Sequence, residues 1–351
     1  MKNDVGRKIQ TVISFATYYL SGFLIISPLH KSDNILVSLI SGFIVSVILI
    51  KLILRFFSRS SATKNNHAVT EKVASVFAVF SAIFVCLILL TEIIKDVSYI
   101  ANRGISLPYY LFIAVFILFV SYYLCISSKN GIYRFLILSA VIFLLLITVM
   151  FFSLFSVRSV IVNTFEIKNP SVSAVTNGIK AGIFFTLDSV IFLFCFKEQT
   201  AFSKKEITLS KLLTGFIISF IYISVYSIFT SLIFGRLTPE ISDPDYALIK
   251  LIPSIDLTEI ISAVRIISFL IKSSCYIFLC ADCFKSAFPK AKLSHKALIT
   301  IFYISIPIAV FILAIFDKTL KYGAFQHLIF PINAAMSLCF LTLFTLFQKK
   351  N

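Results

Sequence analysis

Four ionisable residues interrupt two otherwise apolar stretches of this chain: Lys180 and Asp188 between about Asn177 and Phe196, and Arg265 and Lys272 between about Leu257 and Cys280. A charge placed at the centre of a bilayer costs about 2.5–3.5 kcal/mol on insertion scales, so such residues turn toward a protein interior or a water-filled cavity and mark candidate functional sites. Asp188 sits near the middle of its stretch on a side chain too short to reach either interface. A carboxylate there is protonated or matched to a cation, and it could coordinate a substrate ammonium, cap a half-helix or carry a proton. Lys180 lies eight residues earlier, about 12 Å along a helix rising 1.5 Å per residue. It is therefore no intrahelical partner of Asp188 and reads as a cation snorkelling to the outer face.

The second stretch carries a pattern. Ser262, Arg265, Ser268, Lys272 and Tyr276 follow spacings of three, three, four and four, which places them within about 120° of arc on a 3.6-residue helix. One polar stripe on a lipid-embedded helix must face protein or water, so this helix belongs in the core of a bundle. Arg265, about a turn and a half inside Glu259, is placed to pair with it toward the outer face. Lys272 is about 21 Å along the helix from Thr258, too deep to reach the outer surface. An ammonium fixed there could replace a bound sodium ion or exchange protons, or it could form a static bridge with Asp188 or Glu92. Glu92 and Asp96 close the third apolar segment near its external end, where Glu92 either looks into a vestibule or is simply solvated.

The elements that must hold these residues are membrane helices. Crossing about 30 Å of hydrocarbon takes about 20 apolar residues. Runs without Asp, Glu, Lys or Arg occupy 9–30, 34–50, 73–91, 104–128, 135–157, 212–235, 297–316 and 322–348. With the two interrupted stretches they make ten spans, in a chain that is 59% hydrophobic. The first run reads as a span rather than a cleaved signal, because Ser27-Pro28-Leu29-His30 is a poor cleavage site. Placing the N-terminus inside leaves nineteen Lys and Arg on the cytoplasmic side and nine outside, so both termini are expected in the cytoplasm.

The net charge of +16 is scattered over short loops with no basic domain to receive nucleic acid, and reads as orientation charge plus attraction to the anionic lipid bilayer. The longest loop, Gly235 to Asp256, gathers four acids and reads as an external cap or a solvated surface loop. Cys280-Ala281-Asp282-Cys283 has the C-x-x-C spacing, but a zinc site needs about four ligands and no second pair or histidine cluster accompanies it. His30, His67, His295 and His327 lie at or beyond span ends. No metal and no cofactor are expected, and no nucleophile or phosphate-binding motif argues for an enzyme. The 39 Phe against no Trp suit lipid contact and cavity walls.

Ten spans raise the question of internal symmetry, because transporter folds commonly pair two inverted halves whose first helices are broken at the midplane. The expected architecture is a single transmembrane domain over 1–351, with one repeat over about 9–157 and the second over about 176–348. The first span carries Ser21-Gly22 and then Pro28; the sixth carries Thr186-Leu187-Asp188-Ser189. Both contain helix-weakening residues, and unwound backbone at that depth survives only where it lines a cavity. For Ser21-Gly22, close helix packing is the alternative.

In these features the chain resembles the spore germination permease-like proteins (GerAB family), the B subunits of nutrient germinant receptors, within the amino acid, polyamine and organocation transporter superfamily. The resemblance rests on size, ten spans and cytoplasmic termini. It also rests on Ser21-Gly22 through Pro28, on Phe185-Thr186-Leu187-Asp188 where the family often has Phe-Pro-Phe-Gly-Glu, and on Leu270-Ile271-Lys272-Ser273-Ser274 with Tyr276. The stretch from Asp245 through Lys250 to Asp256 is similar to the family's external segment before the eighth span. The sixth span departs from the family in lacking its Pro and Gly, and Asp188 stands where Glu is usual. The resemblance implies an all-α, LeuT-type five-plus-five inverted repeat with helices 1 and 6 broken. It implies a small amino acid or similar nutrient held between spans one, three, six and eight. Ser21, Gly22 and Phe23 would offer backbone groups, Phe185, Thr186, Leu187 and Asp188 would form the facing wall, and Lys272 would occupy a cation-like position. It further implies A and C receptor subunits as partners, in the spore inner membrane. The expected function is a nutrient-sensing receptor subunit that signals by conformational change. The alternative is a proton-coupled amino-acid permease with Asp188 or Lys272 carrying the proton; a glycan polymerase or flippase would want a large catalytic external loop.

Overall fold

The computed structural model describes residues 2–25, 34–59, 72–84, 116, 119–156, 171–195, 209–234, 258–288, 290, 293–316, 332, 335 and 339. Among the described residues the molecule is helical, and nine helices can be delimited. In chain order they are α1 (Lys2–Ile25), α2 (Ile35–Arg59), α3 (Lys72–Phe84), α4 (119–127), α5 (Lys129–Ser156), α6 (Val172–Cys195), α7 (Leu209–Phe234), α8 (Thr258–Ala287) and α9 (His295–Phe316). Residues 332, 335 and 339 of the tenth expected span are helical. Among the described residues, Ile35–Ile53, Lys211–Phe234 and Val264–Lys285 are long and apolar enough to cross a bilayer.

Local chemistry starts these helices where the chain leaves its loops. Asn34 caps α2, its Oδ1 accepting from the Val37 amide at 3.3 Å. Ser171 caps α6 through the Ala174 amide at 3.1 Å, and Ser294 caps α9 through the Ala297 amide at 3.1 Å. Each side chain satisfies a backbone donor that the first turn leaves without an intrahelical acceptor.

The expected interruptions of helices 1 and 6 are not found in the described stretch. α1 is continuous through Ser21-Gly22 and α6 through Thr186-Leu187-Asp188-Ser189. In α1 the hydroxyls bond back into their own helix. Thr17 Oγ1 donates to the Ile13 carbonyl at 2.9 Å and Ser21 Oγ to the Tyr18 carbonyl at 2.7 Å, so a polar side chain is carried at depth without unwinding the backbone. In α6 the stretch Phe185-Thr186-Leu187-Asp188-Ser189 has neither Pro nor Gly to break the helix. The external end of the first span, with Pro28, lies outside the described residues, as does the acidic loop 235–256.

Packing gathers the chain into two compact units. Unit 1 holds α1, α2 to Lys51, α5 from Leu136, α6 to Thr186, α7, and α8 to Ser268; unit 2 holds the end of α2, α3, α4, the start of α5, the end of α6, the rest of α8, and α9. The first two helices of each five-helix half thus lie mainly in unit 1 and the third and fourth mainly in unit 2, with the boundary crossing α2, α5, α6 and α8.

Within unit 1, α1 lies along α7. Ser219 Oγ donates to the Ala16 carbonyl at 3.0 Å, and Tyr19 meets Phe216 edge-on with centroids 5.2 Å apart. α2 lies along α6, where Ser38 Oγ donates to the Ala174 carbonyl at 2.7 Å and Ser46 Oγ to the Gly182 carbonyl at 3.3 Å. Gly215 lies against the Val12 carbonyl as Ser219 does against that of Ala16, and Ser38 and Ser46 advance with Ala174 and Gly182, so the backbones of each pair run parallel. Two odd-numbered helices pointing one way and two even-numbered helices sharing a direction are what alternate crossings of a bilayer require.

The α2–α6 approach is close enough to demand glycine. A Cβ on Gly178 would lie 2.2 Å from the Ser38 carbonyl oxygen and 2.0 Å from Ser41 Oγ; one on Gly182 would lie 2.6 Å from the Gly42 carbonyl oxygen. Ser38, Gly42 and Ser46 face Ala174, Gly178 and Gly182, a small residue every fourth position on both helices. This spacing lets backbones approach where the lipid supplies no hydrophobic drive for association.

Candidate functional site

The polar stripe of the eighth span is inside the protein. Arg265 is 4% exposed, Lys272 2%, and Ser268 and Tyr276 are fully buried. Across the Val264–Lys285 stretch 89% is buried, against 33% for the corresponding window of α2 and 39% for that of α7. The spacing of three and four therefore identified a helix that turns its polar face inward and is surrounded by protein. Ser268 Oγ donates to the Val264 carbonyl at 2.8 Å, the same back-bonding seen in α1.

Unit 2 carries α8 from Phe269 onward, and there its neighbours are polar as well. Ser121 Oγ of α4 lies 3.0 Å from Ser273 Oγ and 3.2 Å from Ser274 Oγ, and it makes a close hydrogen bond with Tyr303 Oη of α9. Cys125 Sγ donates to the Ser274 carbonyl at 3.3 Å and also meets Tyr303 Oη at 3.3 Å. Tyr122 Oη and Thr300 Oγ1 add a 3.0 Å bond between α4 and α9. Hydroxyls can exchange donor and acceptor roles by rotation about one bond, so this cluster can trade partners without moving backbone. On the α3 side, Cys280 Sγ donates to the Ala78 carbonyl at 3.3 Å, and Tyr276 packs on Phe84 with centroids 4.9 Å apart. These contacts run in opposite order along the two helices, so α3 and α8 are antiparallel, as an odd and an even helix must be. Cys280 is thereby a packing and hydrogen-bonding residue of α8, and Cys283 is buried one turn on. Among the described residues no group of three His, Cys, Asp or Glu is placed to hold a metal ion.

The other expected site residues divide as follows. Ser21 and Thr186 are fully buried and Gly22 is buried, all within unit 1. Lys180 is exposed, which fits the snorkelling cation and removes it from the interior. Phe23, Phe185, Leu187 and Asp188 are helical, but their side chains lie outside the described set; Glu92 lies wholly outside it. Sequence reasoning passed over Ser121, Ser273, Ser274 and Tyr303 as parts of one polar cluster. The Ser273-Ser274 pair was a visible signal, but its partners come from spans about 150 residues before it and 30 after it, and no local spacing joins them. Unit 1 also holds a narrow cleft at its small-residue seam, lined by Tyr19, Ser38, Gly42, Ser46, Gly182 and Phe220 among others, with interior space for about one water molecule.

No protein-family model and no curated protein matches the chain. A solved structure of Mhp1, a nucleobase-cation-symport-1 family transporter, in a closed conformation with bromovinylhydantoin bound, is similar over 91% of this chain and 74% of that one. The TM-score is 0.57 and the sequence identity 14%. The fold is LeuT-type. A LeuT-type transporter fold makes this an integral membrane protein, and its neighbour is a transporter rather than an enzyme. At 14% identity the likeness speaks for the fold and leaves the ligand to be argued from this chain's own residues.

Proposed function

We propose that this protein is a membrane-embedded nutrient receptor subunit of the spore germinant-receptor type. In this reading it binds a small amino-acid-like ligand near the bilayer midplane and signals by a shift between two conformations. The observation that carries the reading is the buried cationic and hydroxyl face of α8 within a LeuT-type fold: Arg265 and Lys272 are held away from water, in a class of fold that places small-molecule sites near the membrane midplane. The ligand would be held by Ser21, Gly22, Phe23 and the Phe185–Asp188 stretch, with Lys272 as the fixed cation, Arg265 supporting it and Glu92 at the vestibule. A ligand shifts a conformational equilibrium only by its difference in affinity for the two states. A zwitterion interacting with Lys272 and Asp188 supplies such a difference through charge. The resemblance to the GerAB family supports A and C subunits as partners, the spore inner membrane as location, and cytoplasmic termini.

A proton-coupled amino-acid permease is the second reading, favoured by the same buried Lys272, since a lysine held in low dielectric can exchange protons. The proposal is tested by equilibrium binding of each of the common amino acids to purified protein in lipid nanodiscs, with Lys272→Met and Asp188→Asn alongside. Saturable binding of one or a few amino acids, weakened at least tenfold by both substitutions, is the expected outcome. Binding that neither substitution alters overturns the site.

A further inference from the structure

One end of unit 2 holds a cluster that the ligand site does not use. Asp282, near the C-terminal end of α8, is approached by Lys129 Nζ at 3.0 Å and by His295 Nε2 at 2.8 Å, one on each carboxylate oxygen. Lys129 is the first residue of α5 and His295 the first of α9. A single carboxylate therefore ties the starts of two helices to the end of a third. Phe278, one turn before Asp282, lies beneath both side chains, with Lys129 Nζ 5.4 Å from its ring centre and the His295 ring 4.6 Å away. The chain enters α5 through one residue, Ser128, whose φ of 113° is a left-handed conformation that a serine adopts only at a cost. The Lys129 contact lies immediately beyond that corner and holds it in place.

The two contacts to Asp282 differ in kind. The Lys129 contact joins an ammonium to the carboxylate, whereas His295 Nε2, 2.8 Å from the other oxygen, makes an ion pair only when the imidazole carries a second proton. A contact from a charged donor is about twice as strong as one from a neutral donor. Histidine is the side chain whose ordinary charge change falls between pH 5 and 8, so adding a proton to His295 turns a weak contact into an ion pair without any movement. Asp282 and Lys129 are about a third exposed and His295 about a quarter, which gives solvent protons access to the cluster. The other charged or titratable groups described nearby are the buried thiols of Cys283 in α8 and Cys195 in α6, and exposed Arg134, Lys285, Lys290 and Lys296. The positive end of the α9 dipole and these lysines oppose a charged His295, and Asp282 is the described carboxylate that offsets them.

We propose that Asp282, Lys129 and His295 form a proton-operated clamp on unit 2, loose when His295 is neutral and tight when it is charged, which couples the α4–α5 corner and the start of α9 to α8. The clamp restricts any rearrangement of unit 2 that separates these helix ends, and acidification on the side they face strengthens that restriction until Asp282 itself takes a proton.

Hydrogen–deuterium exchange of the full chain in nanodiscs tests this at pH 5.5 and 8.0, with labelling times scaled for the intrinsic pH dependence of exchange. The peptides to follow cover residues 129–136 and 295–300. In the wild type the 295–300 peptide is expected to exchange about fivefold more slowly at pH 5.5 than at pH 8.0, the margin between a charge-assisted and a neutral contact, while the 129–136 peptide, held by the Lys129 ion pair at both pH values, changes less. His295→Gln keeps a polar side chain and removes the proton, and is expected to abolish that difference. Asp282→Asn is expected to speed exchange in both peptides at both pH values. If Asp282→Asn does not fold, the comparison of wild type with His295→Gln decides alone. A wild type without the pH difference, or a His295→Gln protein that retains it, overturns the clamp.

Discussion

The α2–α6 seam of unit 1 and the α8 neighbourhood of unit 2 are two answers to the same problem. Helices in lipid gain nothing from hiding apolar surface from their equally apolar surroundings, so they must associate through close packing or polar contacts. The seam uses backbone proximity: small residues every fourth position, with serines donating to carbonyls of the facing helix. The α8 neighbourhood in unit 2 uses side chains, in a cluster of hydroxyls and thiols around Ser121, Ser274 and Tyr303. Backbone contact has one geometry and no substitute partner, whereas rotatable hydroxyls can re-pair. The comparison teaches that unit 1 contains a rigid join and that unit 2 surrounds α8 with contacts able to change.

That contrast can be broken most severely at the seam. Gly178→Val places atoms where Ser38 and Ser41 already stand, so the helices must separate. We expect a loss of about 3 kcal/mol or more, seen as failure to purify as a monodisperse species or as a large fall in thermal midpoint. Lys272→Met comes next. Volume is roughly kept while the cation is removed, and amino-acid binding is expected to weaken at least tenfold, read by equilibrium binding in nanodiscs. Ser274→Ala should be milder, costing about 1 kcal/mol for a lost buried hydrogen bond, because Ser121 keeps Ser273 and Tyr303 as partners. Thermal unfolding in matched lipid checks it, and a loss as large as that of Gly178→Val would mean that unit 2 is no more adaptable than the seam. Lys180→Gln sharpens the comparison from below: the side chain is exposed, and stability and binding should both stay within about 0.5 kcal/mol of wild type.

Parts of this contrast were legible in the sequence, and the reason differs from part to part. The stripe from Ser262 to Tyr276 could be read because helical periodicity is local, and a helix with one polar face in an apolar chain has a single stable orientation. The seam was equally legible: Gly178 and Gly182 stand four apart, as do Ser38, Gly42 and Ser46. Ser21-Gly22 and Thr186-Leu187-Asp188-Ser189 point to unwinding by residue type, with close packing the alternative at Ser21-Gly22, and in α1 Ser21 bonds back to the Tyr18 carbonyl and the helix continues. The hydroxyl cluster and the contacts of Lys129 and His295 with Asp282 were beyond sequence reading, because each joins residues from separate spans that only tertiary packing brings together.

We propose that this LeuT-type fold binds a nutrient to sense it rather than to carry it across. Proteoliposomes of two internal volumes, supplied externally with a radiolabelled amino-acid pool under an imposed proton gradient, test this directly. Sensing predicts saturable retention of about one ligand per chain, the same at both volumes and indifferent to the gradient. Uptake that grows with internal volume and collapses when the gradient is dissipated would contradict it and make the protein a working permease.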